Sequence, residues 1–390
     1  MTETVYVDVS AAVHRRAGLG RYAASLAQGL VPLLGQRLAL FYNREAGIQT
    51  LAGLEALPAR TVRLGYKPWR MLVWAGQAAR LGFDGLVPGG ALFHATEHLL
   101  PPLRGMPTVL TVHDLVFRRY PEHHKPLNRW FLKGAMPLFC RRAHHIIAVS
   151  HQTRRDLLQA YGLAPEKITV IHEAAGPAFR PRSERAVAAA RARYALPPRY
   201  VLYVGTIEPR KNLSRLLGAF ERLRAADLAD ALVVVGRRGW LYDGFFADLA
   251  RSSVKDAVLL PGFVPDDDLA AVYAGALALA FPSEFEGFGL PVVEAMACGA
   301  PVVCSNTSSL PEVAGDAALL VDPRDTEALA AALASIASDP ALAAELRRRG
   351  AKRAAGFSWQ RAARETAAVY ERVSAAWRTG TRAGAPLALE

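Results

Sequence analysis

The chain has 390 residues, of which 52% are hydrophobic and 21% are charged. This length exceeds what one compact core usually holds, so it favours two domains. The first residues lack the basic-then-apolar pattern of a secretory signal, and the longest apolar run, residues 270–282, is too short to span a bilayer. A cytoplasmic protein is therefore predicted. Its three widely spaced cysteines, which lack metal-ligand spacing, are expected to be reduced thiols.

The charge is distributed unevenly along the chain. Residues 1–200 carry a formal net charge of +15, and residues 201–390 carry −3. The basic half suggests an anionic partner, which is nucleic acid, an anionic membrane surface or a diphosphate-bearing acceptor. The simpler alternative is a set of solvated basic helix faces in a protein from an arginine-rich genome. A nucleic-acid-binding protein is the non-enzymatic hypothesis, but the chain lacks aromatic stacking motifs and a recognition helix, so no nucleic acid is predicted.

Short apolar runs alternate with longer amphipathic stretches along the chain. Continuous apolar runs are typical of strands that are covered on both faces. The alternation predicts an α/β fold with two doubly wound parallel sheets. The candidate strands are Val5–Val9, Leu38–Tyr42, Thr108–Val112, Ile146–Val149, Ile168–Ile171, Val201–Val204, Leu232–Val235, Val258–Leu260, Leu277–Phe281 and Pro301–Cys304.

Two features of the first half follow predicted strands. Gly18 and Gly20 follow the first strand and open a helix, but a lone Gly-x-Gly is weak evidence and no acidic partner completes a dinucleotide fingerprint. His113 ends a strand, so it is expected at the carboxyl edge of the sheet, where ligands bind. A purely structural histidine is the alternative. His123, His124, His144 and His145 are interpreted as surface or packing residues, with His123 and His124 on a mobile loop on the acceptor side.

Residues 66–74 combine apolar and basic side chains in one amphipathic segment. Such a segment suits a membrane face or a lipid tail, and core packing is the alternative. A Pro- and Gly-rich stretch, residues 176–182, then interrupts the alternation of strands and helices. It predicts a linker near residues 177–198, between a domain of residues 1–180 and a second domain of residues 195–360.

Two cations follow the first strand of the second half. Gly205 follows that strand, and Arg210 and Lys211 come shortly after it, before a helix. Two neighbouring cations at such a place suit a diphosphate. A solvated Arg-Lys pair in a loop is the alternative.

The segment Phe281–Ala300 contains the most specific pattern. A buried strand ends near Phe281, and a helix is predicted from about Leu290. The backbone amides of Phe288, Gly289 and Leu290 would then lie at a helix amino terminus, which suits a phosphate. Gly287 and Gly289 would allow close approach of the backbone to a ligand.

Two glutamates flank this helix start. Glu286 precedes the helix and Glu294 lies inside it, with seven residues between them. Carboxylates beside a phosphate would repel it, so hydrogen bonds from sugar hydroxyls explain them better. Acidic residues favoured by the helix dipole are the alternative.

These residues resemble the E-x7-E motif of family 4 glycosyltransferases, which have the GT-B fold of two Rossmann-like domains facing a cleft. Residues 208–212, Glu-Pro-Arg-Lys-Asn, resemble the phosphate-clamp loop of the mannosyltransferase B-like subgroup, and the resemblance covers about residues 4–375. Thr206 departs from the pattern, since many members have arginine directly after the glycine. Arg210 is expected to supply that cation.

The resemblance implies a role for each matching residue. Glu286 would contact hydroxyls of the donor sugar and Glu294 the donor ribose, while Arg210 and Lys211 would stabilise the leaving diphosphate. The other implied contacts are the backbone of Gly287, Phe288, Gly289 and Leu290 with the donor, His113 with the donor sugar, Gly18 and Gly20 with donor phosphate and acceptor, and Phe263 and Val264 with the base.

The implied activity is transfer of a sugar from a nucleotide-sugar donor, with retention and without a metal or other cofactor. GDP-mannose is the expected donor, and a glycan or lipid-linked glycan is the expected acceptor. The first domain would bind the acceptor, a carboxy-terminal helix at about 362–378 would return to it, and the enzyme would be peripheral at the inner membrane face. A sugar phosphorylase, a nucleotide-sugar epimerase and an inactive nucleotide-sugar sensor are the alternatives.

Overall fold

The computed structural model describes residues 4–45 and 47–380. Its contacts divide the chain into two compact units. Unit 1 comprises the described residues of 1–118, 126–173 and 359–390. Unit 2 comprises residues 119–125 and 174–358.

In the described part of unit 1, seven parallel strands form one sheet in the order β3-β2-β1-β4-β5-β6-β7. The order reverses between β1 and β4, and ligands of doubly wound sheets bind at the carboxyl ends of the strands beside such a reversal. The strands are β1 Thr4–Asp8, β2 Leu38–Asn43, β3 Ala59–Val62, β4 Gly90–Ala95, β5 Thr108–Val112, β6 His145–Ala148 and β7 Ile168–Val170.

Helices connect these strands and cover the sheet. They are α1 Ser10–Val13, α2 Ala17–Leu34, α3 Tyr66–Ala78, α4 Val116–Arg119, α5 Pro126–Arg142 and α6 His151–Tyr161, with the late helix α15 Trp359–Thr379. On one side of the sheet the core contains the fully buried side chains of Phe41, Trp69, Phe93 and Phe131.

The last helix, α15, packs on α2 although more than three hundred residues separate them in the chain. The rings of Tyr22 and Trp359 meet edge to face at 5.8 Å. Farther along the helix, the Tyr370 hydroxyl lies 2.6 Å from Nδ1 of buried His94. The helix therefore contributes both apolar and polar contacts to the interior of unit 1.

In unit 2, six parallel strands form the order β10-β9-β8-β11-β12-β13, which reverses between β8 and β11. The strands are β8 Tyr200–Val204, β9 Ala231–Val235, β10 Val258–Gly262, β11 Ala278–Phe281, β12 Val302–Ser305 and β13 Leu319–Val321. The helices are α7 Glu184–Tyr194, α8 Leu213–Ala225, α9 Asp243–Arg251, α10 Asp266–Ala274, α11 Leu290–Ala297, α12 Leu310–Ala314, α13 Thr326–Ser338 and α14 Pro340–Ala355.

The structure contains three strands that the sequence pattern did not predict. β3 lies at a sheet edge and is largely exposed, and β13 is a three-residue edge strand, so neither presents a long apolar run. β4 is central, but it begins with glycine and contains His94, which weakens the pattern. The residue at the N-cap position of α10 is Pro265.

Among the described residues, no single helix combines the length and apolarity needed to cross a membrane. One bent pair, Thr326–Ser338 with Pro340–Thr379, meets that requirement by length and composition only.

Candidate active site

The two cations that follow β8 lie on a short 3₁₀ turn, Pro209–Lys211. Arg210 donates from Nη2 to Glu208 Oε1 at 2.6 Å, and its Nη1 lies 2.9 Å from Glu286 Oε2. Lys211 Nζ donates to the other oxygen of Glu286 at 2.5 Å. The turn is tied to the segment after β11 by the backbone bond from Glu284 N to Arg210 O, 2.9 Å long. Arg210 and Lys211 thus form one largely buried cluster with Glu286, which is distant from them in sequence.

The pKa values of Glu286 and Lys211 are both lowered in this cluster, but for different reasons. Burial alone would raise the pKa of Glu286, but the charges of Arg210 and Lys211 outweigh it and lower that pKa to about 2. Burial, followed by the neighbouring charge of Arg210, lowers the pKa of Lys211. The carboxylate therefore stays ionised at neutral pH and neutralises part of the positive charge of the turn.

The start of α11 is held by side chains from the following turn. Ser308 Oγ accepts a hydrogen bond from Glu286 N at 3.0 Å. Ser309 Oγ lies 2.7 Å from the carbonyl oxygen of Phe288. Gly289 then caps the helix with a φ of +113°, and a Cβ there would lie 2.7 Å from Leu310 Cδ2. Only glycine fits this position without strain, and the amino-terminal amides of α11 follow directly.

Glu294 lies in the middle of α11 and is fully buried. Its Oε2 accepts a hydrogen bond from the Tyr273 hydroxyl at 3.1 Å. The two glutamates of the segment thus have different surroundings, since Glu286 is paired with two cations and Glu294 is hydrogen-bonded to the hydroxyl of Tyr273.

The predicted base-binding residues lie directly after β10. Val264 is buried, whereas 61% of Phe263 is exposed. Gly205 directly follows β8, and its carbonyl oxygen would be only 1.9 Å from a Cβ at Gly236, which directly follows β9. The chain after β8 and the chain after β9 therefore approach each other too closely for a side chain at Gly236.

At the start of α2 in unit 1, one of the two predicted glycines is explained by helix packing. Gly18 and Gly20 lie in the first turn of α2. A Cβ at Gly20 would lie 2.8 Å from the carbonyl oxygen of Ala11, so this glycine allows α1 and α2 to approach each other. Packing alone is sufficient to explain Gly20.

His113 follows β5, and both of its ring nitrogens face oxygen acceptors. Nδ1 lies 3.0 Å from Glu173 Oε1, and Nε2 lies 2.9 Å from the carbonyl oxygen of Thr96. Burial alone would lower the pKa of His113, but the hydrogen bond and charge of Glu173 outweigh it and raise the pKa. The Glu173 carboxylate thus favours the protonated form of this ring. Contact of this ring with a donor sugar stays a prediction.

Carboxylates cluster at the strand-order reversal of unit 1. Asp8 ends β1, Glu97 follows β4, and both are about 1% exposed. Arg16 donates from Nη1 to Glu97 at 2.9 Å and lies 3.6 Å over the ring of Tyr66. Burial, together with the charge of Glu97, raises the pKa of Asp8 to about 7.

The outer side of Arg16 faces a cavity of about 560 Å³ in unit 1. Its walls combine hydrogen-bond donors and acceptors, which suits a polar ligand. The cavity is lined by His14, Arg16, Glu45, Gly47, Tyr66, Lys67 and Pro68.

The segment with His123 and His124 lies in a different place from the predicted one. Residues 119–125 cluster with unit 2 rather than with unit 1, for which acceptor binding was predicted. Trp240 Nε1 donates to the carbonyl oxygen of His123 at 2.6 Å, and the rings of His124 and Trp240 stack at 6.0 Å. Both histidines are therefore packing residues, as the sequence suggested, but their partner is unit 2.

Comparison with known families identifies the chain. The family model described as Glycosyl transferases group 1 matches residues 189–354, and the one described as Glycosyltransferase Family 4 matches residues 16–175. The O-antigen chain mannosyltransferase B of Escherichia coli is 34% identical over 282 residues, which is 72% of this chain and 74% of that protein. The chain belongs to the family 4 glycosyltransferases.

Solved structures of other proteins show the same fold. Sucrose-phosphate synthase from Thermosynechococcus elongatus matches with a TM-score of 0.77 and 22% identity, over 96% of this chain and all of that one. HepE from Anabaena, solved in complex with UDP and glucose, matches with a TM-score of 0.73 and 19% identity, over 95% of this chain and all of that one. The predicted GT-B fold class, with two doubly wound α/β units, is confirmed.

Several polar residues beside the candidate sites of this glycosyltransferase were missed by the sequence reasoning. Glu208, Glu173 and Glu97 each follow a strand of the parallel sheets within a few residues. Their place at the carboxyl edge was the available signal, but that signal is shared by many surface carboxylates. What distinguishes them is burial and pairing with Arg210, His113 and Arg16, which only the folded chain shows.

Proposed function

We propose that this glycosyltransferase transfers mannose from GDP-mannose to a glycan or lipid-linked glycan acceptor, with retention of configuration and without a metal. The observation that carries the proposal is the cluster of Arg210, Lys211 and Glu286 beside the amino terminus of α11. The name of the Escherichia coli relative supports mannose as the sugar. The complex of HepE with UDP and glucose supports a nucleoside diphosphate donor.

Arg210, Lys211 and the start of α11 would act by stabilising the charge of the departing diphosphate. Arg210 and Lys211 supply two cations, and the amides at the start of α11 supply hydrogen-bond donors. Glu286 would accept hydrogen bonds from hydroxyls of the sugar, and Glu294 from the ribose. The diphosphate itself would take the proton of the acceptor hydroxyl, so no enzyme nucleophile is assigned.

The Asp-x-Asp sequence at residues 266–268 is better explained by structure than by a metal. Asp267 pairs with Arg182 at 3.0 Å, and Asp268 pairs with Arg193 at 2.7 Å. Both carboxylates lie in the first turn of α10, where acidic residues are favoured. Activity that survives extensive EDTA treatment would support metal independence, and recovery that requires an added divalent cation would contradict it.

The acceptor is assigned to the cavity beside Arg16 in unit 1. Tyr66 and Arg16 both line it. Arg16 is hydrogen-bonded to Glu97 at 2.9 Å, and the Tyr66 hydroxyl lies 3.1 Å from Nε2 of His98. Because the cavity presents both hydrogen-bond donors and acceptors, it suits the hydroxyls of a glycan. Arg16→Ala is expected to raise the KM for a mannose-containing acceptor about 10-fold or more while nucleoside diphosphate binding changes little.

An anionic membrane surface is proposed as the docking partner of α3 and α5. Leu127 and Trp130 are 79% and 58% exposed, Met71 and Leu72 are about 40% exposed, and Lys133 adds positive charge beside them. Apolar side chains mixed with lysine favour the interface of an anionic bilayer. Co-sedimentation with vesicles containing about 30% phosphatidylglycerol, but not with pure phosphatidylcholine vesicles, is expected.

A double change of Leu127 and Trp130 to serine should abolish that co-sedimentation. Leu241→Ser, which changes a half-exposed leucine in unit 2, is the matched control and should leave it unchanged. Equal vesicle binding by the double variant and the wild type would disprove the assigned surface.

A thermal-shift panel of nucleotide sugars tests the core of the proposal. A ligand at about 100 times its Kd should stabilise the folded protein by about 2.7 kcal/mol. GDP-mannose is expected to raise the Tm, and product analysis by NMR should show an α-linked sugar formed only when acceptor is present. If no nucleoside diphosphate or nucleotide sugar shifts the Tm, the proposed function is wrong. Formation of a sugar 1-phosphate from added phosphate would instead indicate a phosphorylase.

A further inference from the structure

A second cavity, of about 290 Å³, lies wholly within unit 2. It lies where β9 and β10 end and where Ile207 follows β8. Its lining contains two arginines and no carboxylate, and the remaining members are apolar residues or glycines. The lining residues are Ile207, Val234, Gly236, Arg237, Arg238, Phe246, Leu260, Gly262 and Phe263.

The cavity is suited to a flat, partly apolar ligand. Val234 is buried, while Leu260 and Phe263 are 41% and 61% exposed. An exposed phenylalanine ring beside a cavity offers a stacking surface for an aromatic ligand. Gly236 adopts a φ of +149° and lies against Gly205, so no side chain at that point narrows the cavity.

Each arginine of the cavity packs over an aromatic ring. The guanidinium carbon of Arg237 lies 5.1 Å from the ring centre of Phe263, and that of Arg238 lies 4.4 Å from the ring centre of Phe246. Within the described part of the chain, neither side chain forms a hydrogen bond or an ion pair with a protein group. Stacking over a ring uses the face of a guanidinium and leaves its N–H edge available to a ligand in the same plane.

An arginine edge discriminates among nucleobases by the atoms that face it. Guanine presents two adjacent acceptors, O6 and N7, which match the two parallel donors of one guanidinium. Adenine presents a donor amino group beside N7, and uracil presents the N3–H donor beside O4, so neither offers two adjacent acceptors. A cavity whose charged groups are all arginine donors therefore favours guanine.

We propose that Arg237 is a specificity-determining residue that binds the O6/N7 edge of a guanine nucleotide while it packs over Phe263. This proposal rests on the proposed function, because it assigns the base of the same nucleotide-sugar donor. It adds a residue and a selectivity that follow from the cavity within unit 2. Arg238, which packs over Phe246 instead, is assigned no part in the choice of base.

Calorimetric titration of the full chain with GDP, UDP and ADP tests the proposal. The wild type is expected to bind GDP at least about 10-fold more tightly than UDP or ADP. Arg237→Ala should weaken GDP binding about 10-fold or more and change UDP binding by less than about 3-fold. Arg237→Lys should not restore the selectivity, because an ammonium group cannot make the bidentate contact.

Arg238→Ala is the matched control, since it removes the other exposed arginine from the same cavity. It should change the affinities for the three nucleotides by the same factor and so leave the selectivity intact. Circular dichroism should show that the variants at these exposed positions remain folded.

Two results would overturn the inference. If the wild type binds UDP or ADP as tightly as GDP, or if Arg237→Ala weakens all three equally, Arg237 does not read guanine, although nucleoside diphosphate binding still supports the proposed function. If none of the three nucleotides binds the wild type, the proposed function and the inference are both wrong.

Discussion

Glu286 is the residue in which structure and proposed chemistry are most closely linked. Its two carboxylate oxygens contact Lys211 at 2.5 Å and Arg210 at 2.9 Å. The proposal assigns the same two cations to the diphosphate of the donor. A bound diphosphate would therefore replace Glu286 as their partner and release the carboxylate for the hydroxyls of the sugar.

Glu286→Gln is expected to lower kcat about 100-fold or more, because a neutral amide binds developing charge less strongly. Its Kd for GDP should stay within about 3-fold of the wild-type value, since the cations keep their positions and lose a competing anion. Glu294→Gln should weaken GDP binding about 10-fold with a smaller effect on kcat. Calorimetry and steady-state kinetics on purified variants measure both quantities. Equal effects of the two changes on Kd and kcat would contradict the division of roles.

The pKa of Glu286 also predicts a dependence of stability on acid. Its pKa is lowered from 4.5 to about 2 in the folded chain, so the ion pairs stabilise the fold above pH 4.5 and this contribution is lost as the pH falls towards about 2. At neutral pH, Glu286→Gln should unfold at a lower temperature because two buried cations lose their partner. The difference in Tm from the wild type should shrink between about pH 5 and about pH 3.

Glu55→Gln, which changes an exposed carboxylate in unit 1, is the control for this experiment. Its Tm should follow the wild type over the whole pH range. A constant gap between wild type and Glu286→Gln on acidification would show that the carboxylate is not stabilised by its cations.

At the scale of secondary-structure elements, the start of α11 carries the phosphate-binding hypothesis. Pro291 occupies the first turn, where its missing N–H costs nothing, and Gly289 supplies the left-handed backbone before it. The preceding segment is fixed by the serine hydroxyls at 308 and 309. The helix end is thus preorganised, which lets its amides act without rearrangement.

Gly289→Ala should disturb this helix start. A Cβ would lie 2.7 Å from Leu310, and the φ of +113° is unfavourable for alanine, so a loss of about 1–3 kcal/mol in the free energy of unfolding is expected. Binding of GDP, measured by calorimetry, should fall by about 10-fold or more because the amides move. Gly299→Ala is the matched control, since its φ of +79° is also positive but nothing lies within 4 Å of its Cβ. It should cost stability without changing GDP affinity, and equal losses of affinity would refute the role of the helix end.

At the scale of the whole molecule, each unit has its own sheet and core, but unit 1 is completed by the last helix of the chain. Trp359 and Tyr370 of α15 are buried in unit 1, and Tyr370 is a hydrogen-bond partner of His94. Because the deletion of buried aromatic side chains costs several kcal/mol, unit 1 should depend on a helix that follows unit 2 in the sequence.

A chain that ends at Ser358 should therefore lose stability in unit 1 alone. Differential scanning calorimetry is expected to show unfolding of unit 1 at a lower temperature and unfolding of unit 2 at an unchanged temperature. GDP at about 1 mM should raise only the unfolding temperature of unit 2. A chain that ends at Thr379, after α15, is the control. If the shorter chain retained both transitions, α15 would be dispensable for unit 1.

Some features of this protein follow from its sequence alone. The continuous apolar runs predicted buried parallel strands, and the motif at Phe281–Ala300 predicted both a family and a helix start. These predictions succeed because burial on both faces and a helix amino terminus each impose a local pattern on neighbouring residues. Strand β4 was missed for the same reason, since its glycine and buried histidine depart from the apolar pattern although the strand is central.

The composition of the charged clusters was decided only by the tertiary structure. The sequence predicted a phosphate contact for Arg210 and Lys211, but it did not predict their pairing with Glu286, about 75 residues later. It placed His113 at a strand end, but not its ring between Glu173 and Thr96. Local patterns encode which residues reach the carboxyl edge of a sheet, whereas the order of the strands decides which of them meet there. That order results from the packing of the whole sheet, and no segment of the chain encodes it alone.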